Sequence, residues 1–323
     1  MKNKMVILGL LVVMGCACLI PLKVGPPRDI AVEITPERLT RGEYLAKHVT
    51  RCVYCHSGLD WNYYAGGLPK PGTEGGGGWH ETVNEGLIGS YDLYFPNITP
   101  AAIGNWTDGE LIRAMTEGVS KDGKPLFPIM PYERFRIMDK EDVYSIVVYI
   151  RSLDPISNTY PKKKVKRLFK FIERSVPKPW EPQTQLDPSN SVAYGKYLST
   201  IGDCVACHST MTNTAQFIEG MDFAGGNEYI IPNGGIVRSA NITPDLETGI
   251  GNRSKDNFIG LFKAFQEPIQ LPEDSKHGNT VMAWTAFAGM TVEDLGAIYD
   301  YLRTVKPVKN RVEKYPGDEV SNE

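Results

Sequence analysis

The pentapeptide C-x-x-C-H occurs twice in this chain, as Cys52-Val53-Tyr54-Cys55-His56 and as Cys204-Val205-Ala206-Cys207-His208. It is the attachment signature of a c-type haem. Two cysteines three positions apart reach the two vinyl groups of one porphyrin, and the next residue then lies under the ring, where an imidazole binds iron. The motif therefore implies two haem c groups, held covalently by Cys52, Cys55, Cys204 and Cys207, with His56 and His208 as axial ligands. A four-cysteine zinc site would carry its C-x-x-C pairs about 15–20 residues apart, whereas these pairs lie in different halves of the chain and each is followed by His. A thioredoxin-like redox motif needs a βαβ setting, which neither stretch has.

The surroundings of the motif repeat with it. Gly42-Glu43-Tyr44-Leu45 and Gly195-Lys196-Tyr197-Leu198 share G-x-Y-L, ten and nine residues before the first cysteine. Asn97-Ile98-Thr99-Pro100 recurs as Asn241-Ile242-Thr243-Pro244, and Ile103-Gly104-Asn105 as Ile250-Gly251-Asn252. Thr107 with Glu110 has the form of a capping box, and Ser254 takes the Thr107 position. Each half closes on a helical pattern, over 141–150 and 293–302, with apolar residues at three- and four-residue spacing. Neither half carries a convincing run of alternating strand residues, so both read as small helical domains around a cofactor. The expectation is an all-α chain. Its order is an N-terminal signal or membrane anchor (1–25), a tether (26–36), a first domain (37–157), a basic, proline-rich linker (158–187), a second domain (188–308) and a polar tail (309–323).

A histidine-held iron needs its sixth ligand assigned, because that ligand decides the chemistry. Met130 follows His56 by 74 positions, and Met282 follows His208 by the same 74. This equal spacing makes Met130 and Met282 the axial candidates. A thioether is soft and favours ferrous iron, raising the potential. Met138 and Met290 follow eight residues later, each at the entry to the last helix of its half, where methionine reads as core packing. His80 and His277 are the rival ligands in the two halves, but neither has a counterpart in the other. They and His48 read as packed or surface residues.

Six cysteines in 323 residues would suggest three disulfides, yet four are taken by the haem motifs. The other two, Cys16 and Cys18, lie in an uncharged apolar run from Met5 to Leu22, preceded by Lys2 and Lys4. That run has the charged start and apolar middle of a secretory signal, and its length reaches that of a membrane-spanning helix. Val13-Met14-Gly15-Cys16 resembles a lipoprotein cleavage box. Anchor, lipidated Cys16 and plain cleavage all imply export, and the two lysines favour the cytoplasmic side for the N-terminus. A net charge of −3 argues against nucleic-acid binding. The glycine-rich stretch from Gly66 to Gly78 reads as a surface loop, since no lysine–serine or lysine–threonine pair follows to make it a phosphate loop. Six cations, Lys162, Lys163, Lys164, Lys166, Arg167 and Lys170, fall in the linker without an intervening acid. They read as a solvated connector or as a patch for anionic headgroups or an acidic partner.

With these residues assembled, the chain resembles the membrane-associated cytochrome c subunits of bacterial alcohol, aldehyde and gluconate dehydrogenases. The second half carries the clearest likeness, through Tyr194 to Leu198, Gly202 to His208, Phe223-Ala224-Gly225-Gly226 and Asn241 to Gly251. The first half matches through Asn97 to Pro100, Ile103 to Trp106 and Met130-Pro131-Tyr132. The resemblance implies two class I cytochrome c folds with His/Met ligation, passing single electrons from a dehydrogenase to a respiratory-chain acceptor at the periplasmic face of a bacterial membrane. Two departures stand out. The family commonly has three haem domains and this chain has two motifs. Arg253 also stands where the pattern, like the first half at Trp106, has tryptophan, a residue that packs near the haem edge in the family. The rival function is a dihaem cytochrome c peroxidase, of similar length and motif spacing. It needs one haem with an open position and unlike ligation in its two halves, whereas the repeated spacing here calls for like ligation. The chain is expected to be an electron-transfer protein and not itself an enzyme.

Overall fold

Thr35 caps the first helix, accepting from the Arg38 backbone, and Pro36 at its first position needs no amide donor there. The computed structural model describes residues 24–78, 80–84, 90–160, 177–182, 186–212, 216–232, 235–272 and 279–316, with backbone alone at 80–84 and 90–92. Helix α1 (Pro36–Tyr44) runs into a π-helical turn (Leu45–Val49), which leads to α2 (Cys52–Cys55). Short strands β1 (Leu59–Asp60) and β2 (Leu68–Pro69) pair, followed by β3 (His80–Asn84) with β4 (Ser90–Tyr94). Helices α3 (Pro100–Ile103), α4 (Asp108–Glu117), α5 (Tyr132–Phe135) and α6 (Lys140–Ser152) complete the first half. The second half holds α7 (Ser191–Ile201), α8 (Cys204–His208), the β5 (Glu228–Ile230) and β6 (Ile236–Arg238) hairpin, α9 (Lys255–Lys263), α10 (Trp284–Phe287) and α11 (Val292–Leu302).

The framework is helical, but among the described residues three antiparallel two-stranded pairs depart from an all-α reading. The longest pairs His80 with Tyr94 through to Asn84 with Ser90. Thr82, Val83, Tyr91 and Tyr94 supply the β-branched and aromatic residues that favour strands. The run is five residues a side, too short to stand out in a helical sequence.

The first helix of each half crosses the last one at a glycine. A Cβ on Gly42 would collide with the Ser145 carbonyl, and one on Gly195 with the Ala297 carbonyl. Close backbone approach explains the G of G-x-Y-L. The π-turn explains the unequal spacing. The first half has one more residue between G-x-Y-L and its cysteine, and the wider turn absorbs it while Leu45, Ala46 and Val49 stay fully buried.

A single hydrophobic cluster includes residues of both halves, among them Leu45, Phe135, Met138, Leu198, Phe287 and Met290. Each large apolar side chain removed from water contributes about 1.5–3 kcal/mol. Two polar contacts join the halves reciprocally. Tyr44 donates to Asp294 at 2.6 Å and Tyr197 donates to Asp142 at 2.7 Å. Each tyrosine of G-x-Y-L thus meets the aspartate that opens the other half's last helix.

Residues expected as a tether lie against the first half. The Val32 amide donates to Asp108, and Arg28 covers the Trp180 ring at 4.9 Å. Trp180, in the stretch read as a linker, is itself buried and donates to the Met138 carbonyl. The hydrogen-bonded framework also passes residues 157 and 308. Asn158 and Asn310 donate to the backbone carbonyls of Gly76 and Ala224. The apolar run Met5 to Leu22, with Cys16 and Cys18, lies outside the described residues, as do the linker cations from Lys162 to Lys170. Among the described residues no helix is long and apolar enough to cross a membrane.

Candidate haem sites

Both C-x-x-C-H motifs form short helices entered through a left-handed residue, Arg51 with φ 57° and Asp203 with φ 57°. One helical turn sets the two cysteines on the same side, three positions apart. The following imidazole is then fixed from behind. His56 Nδ1 lies 2.7 Å from the Pro96 carbonyl, and His208 Nδ1 lies 2.7 Å from the Ala240 carbonyl. A carbonyl only accepts, so in both rings Nδ1 carries the proton and Nε2 keeps its lone pair. Burial pushes both imidazole pKa values down, against the smaller upward pull of that carbonyl. Both rings are therefore held neutral, as a metal-ligating histidine must be.

The carbonyls that orient the histidines belong to residues just before the repeated N-I-T-P. Asn97 accepts from the Thr99 amide and hydroxyl, each at 2.8 Å, and donates to the Ile156 carbonyl at 2.6 Å. Asn241 accepts from the Thr243 amide at 2.9 Å and hydroxyl at 2.7 Å, and donates to the Val308 carbonyl at 2.8 Å. The motif is thus a buried knot that positions the chain behind each imidazole. Sequence reasoning used it as a repeat marker and missed this role; recurrence of a polar buried motif was the available signal.

The glycine-rich stretch is a further correction. Gly75, Gly76 and Gly77 are buried, not a surface loop. The Gly77 amide donates to the His56 carbonyl at 2.7 Å, as Gly225 donates to the His208 carbonyl at 2.6 Å. Both glycines have φ near +70°, at 71° and 73°. A Cβ would lie 2.5 Å from the Asn97 nitrogen in one half and 2.5 Å from Ala240 in the other. Only glycine fits where the chain turns left-handed under the histidine. The Gly-Gly of Phe223-Ala224-Gly225-Gly226, aligned with Gly77-Gly78, carried that signal.

Met130 and Met282 occupy matching turns. The Tyr132 amide donates to the Met130 carbonyl at 2.8 Å, and the Trp284 amide to the Met282 carbonyl at 2.8 Å. Both methionines are half-buried, whereas Met138 and Met290 are sealed in the core. In the second half a cavity of about 440 Å³ is bordered by Cys204, Cys207, His208, Met282 and also Met290. That size is within the about 300–1,000 Å³ of cofactor sites. Two thiols one turn apart, a neutral imidazole beside them and a thioether on the same cavity form a donor set that fits a haem c. Burial pushes the Cys204 thiol up to about 12 and also raises that of Cys52, so neither is a ready thiolate. Cys52, Val53 and Tyr54 are buried in α2, whereas the residues of α8 are half-buried. Arg253, on the same cavity, is exposed, whereas Trp106 is half-buried. His277 lies outside the described residues, and of His80 only the backbone is described, in β3.

No protein-family model matches the chain. Among curated proteins it is 29% identical over 298 residues to the cytochrome c subunit of a quinone alcohol dehydrogenase from Gluconacetobacter polyoxogenes, covering 86% of this chain and 58% of that one. It is 26% identical over 234 residues to the gluconate 2-dehydrogenase cytochrome c subunit of Pantoea cypripedii, covering 67% and 48%. With the fructose dehydrogenase cytochrome subunit of Gluconobacter japonicus it shares 27% over 246 residues, covering 70% and 44%. The chain spans about half the length of the curated relatives it matches. Over most of its length this chain is similar to the cytochrome c subunits of alcohol, gluconate and fructose dehydrogenases.

Proposed function

We propose that the chain is an exported dihaem cytochrome c of two tandem class I domains, relaying single electrons between a dehydrogenase and a respiratory-chain acceptor. One arrangement, present twice, carries this reading. A C-x-x-C-H helix, an imidazole fixed by the carbonyl before N-I-T-P, and a methionine turn 74 positions on recur with the same hydrogen bonds in both halves. Haem c, when bound, supplies a one-electron ferric/ferrous couple. Cys52, Cys55, Cys204 and Cys207 would hold it covalently, and His56, His208, Met130 and Met282 would supply imidazole and thioether ligands to its iron. Iron ligated in that way would have no position left for peroxide. The likeness to dehydrogenase subunits also weighs against the peroxidase reading.

The relatives' names support a dehydrogenase as electron donor. The apolar run from Met5 to Leu22, or a lipid on Cys16, would hold the chain at the periplasmic face of the membrane. Covalent haem count and intact mass test the assignment. Two haems per chain are expected in the wild type, and one in Cys52→Ser or Cys204→Ser. Undiminished haem in both variants would defeat it.

A further inference from the structure

The turn carrying Met282 is bracketed by the first half of the chain. Three residues before it, Asn279 is 2% exposed and reaches across with both ends of its amide. Its Oδ1 accepts from the Ala65 amide at 3.0 Å and its Nδ2 donates to the Tyr63 carbonyl at 3.2 Å. The same Oδ1 accepts from Thr280, whose hydroxyl accepts from the Met282 amide at 3.1 Å. Three residues after Met282, the Thr285 hydroxyl donates to the Gly67 carbonyl at 3.1 Å. Between these anchors Gly66, with φ +94°, passes so close that a Cβ would lie 2.6 Å from the Met282 carbonyl oxygen. The Gly66 carbonyl in turn accepts from Tyr54, inside the first C-x-x-C-H motif.

The strand-like edge beside it reinforces the contact. Tyr64 donates to the Ile269 carbonyl at 2.7 Å, and Leu271 to the Asn62 carbonyl at 2.8 Å. The Tyr64 ring lies 5.8 Å from Phe265, itself 5.4 Å from Trp284. The first half does not offer its own methionine the same chemistry. Phe127 and Glu133 take the places of Asn279 and Thr285 around Met130. A phenylalanine side chain has no amide to span a gap.

We propose that residues 63–67 of the first half, with Asn279 and Thr285, are a clamp that positions Met282. The inference rests on reading Met282 as an axial ligand, and it makes ligation in the second half depend on the first. Asn279, Thr285 and Gly66 are positioning residues, since none has been placed on the iron. An axial thioether is a weak ligand that an added imidazole displaces when its loop loosens. Loss of the Asn279 bonds therefore shows as easier displacement at one of two irons.

The test uses the full-length ferric holoprotein titrated with imidazole, following the weak long-wavelength band of methionine-bound ferric iron. In Asn279→Ala, half of the band should disappear at an imidazole concentration roughly tenfold lower than in the wild type, the equivalent of about 1.4 kcal/mol. The other half should titrate unchanged. Thr285→Val, nearly the same shape without the hydroxyl, should shift the same half in the same direction, and it decides the question if Asn279→Ala fails to fold. Met282→Ala sets the reference by removing that half outright. If both clamp variants titrate like the wild type while Met282→Ala loses half the band, the clamp is wrong and the ligand reading stands. If Met282→Ala keeps the whole band, the ligand reading itself fails and the clamp falls with it.

Discussion

Each candidate proximal imidazole is hydrogen-bonded to a backbone carbonyl behind it, that of Pro96 or of Ala240. That bond fixes which nitrogen faces forward, so a change behind the ring is expected to act on the iron without touching it. Asn241→Ala removes the acceptor of the Thr243 amide and hydroxyl and the donor to the Val308 carbonyl. Leaving such buried groups unpaired costs about 1–3 kcal/mol. The expected outcome is a lower denaturation midpoint together with a shifted potential for one haem only; redox titration beside urea unfolding reads both. On the other face, Met130→Ala or Met282→Ala should leave haem attached while opening one ferrous iron to carbon monoxide. Failure of both variants to bind carbon monoxide would remove the axial assignment. At this scale the sequence was most informative. The cysteines, histidines and methionines are all named by spacing, whereas the carbonyls behind the rings are backbone atoms that any residue supplies and no side-chain pattern reveals.

Helices and loops answer to different constraints. The capping box at Thr107 and Glu110 forms as its sequence requires, and Ser254 accepts from Asn257 at the matching helix start. The crossing glycines are equally strict. Gly42→Ala and Gly195→Ala each drive a methyl into a carbonyl of the partner helix, and overpacking of this kind costs about 1–3 kcal/mol. Thermal unfolding should show a lower midpoint for either. His48, in the π-turn, lies 2.9 Å from the Ala286 carbonyl, and burial pushes its pKa down. An unfolded histidine takes a proton near pH 6.5, but the folded one resists it. The contribution of His48 to stability is therefore complete above that pH and declines as pH falls below it. Urea midpoints at about pH 7.5 and 5.5 should fall further in the wild type than in His48→Gln; an equal fall in both would contradict this role. The strands and the buried glycine stretch were the least legible elements. The glycine stretch owes its position to backbone packing under His56, which a count of glycines reads as a loose loop.

Across the whole molecule, Tyr44–Asp294 and Tyr197–Asp142 tie the halves with the same bond used in both directions. Burial pushes both phenol pKa values well up, and the adjoining carboxylates add to the shift. Both hydroxyls therefore remain donors. Hydrogen bonds to charged acceptors contribute about 1.5–3 kcal/mol. Tyr44→Phe with Tyr197→Phe should lower the urea midpoint by more than either alone, and the spectrum of each haem should persist. The repeat was plain in the sequence, but its reciprocal docking was not, because tyrosine and aspartate are read within their own half until the fold brings them together.

If the chain carries two haems, both ligated by histidine and methionine, the absorption spectrum of the oxidised protein, normalised to haem content, should show it. Two haems per chain and the full long-wavelength methionine–iron band for both are expected. Half of that band, or none, would contradict that ligation, and peroxide turnover would then be the next property to assay.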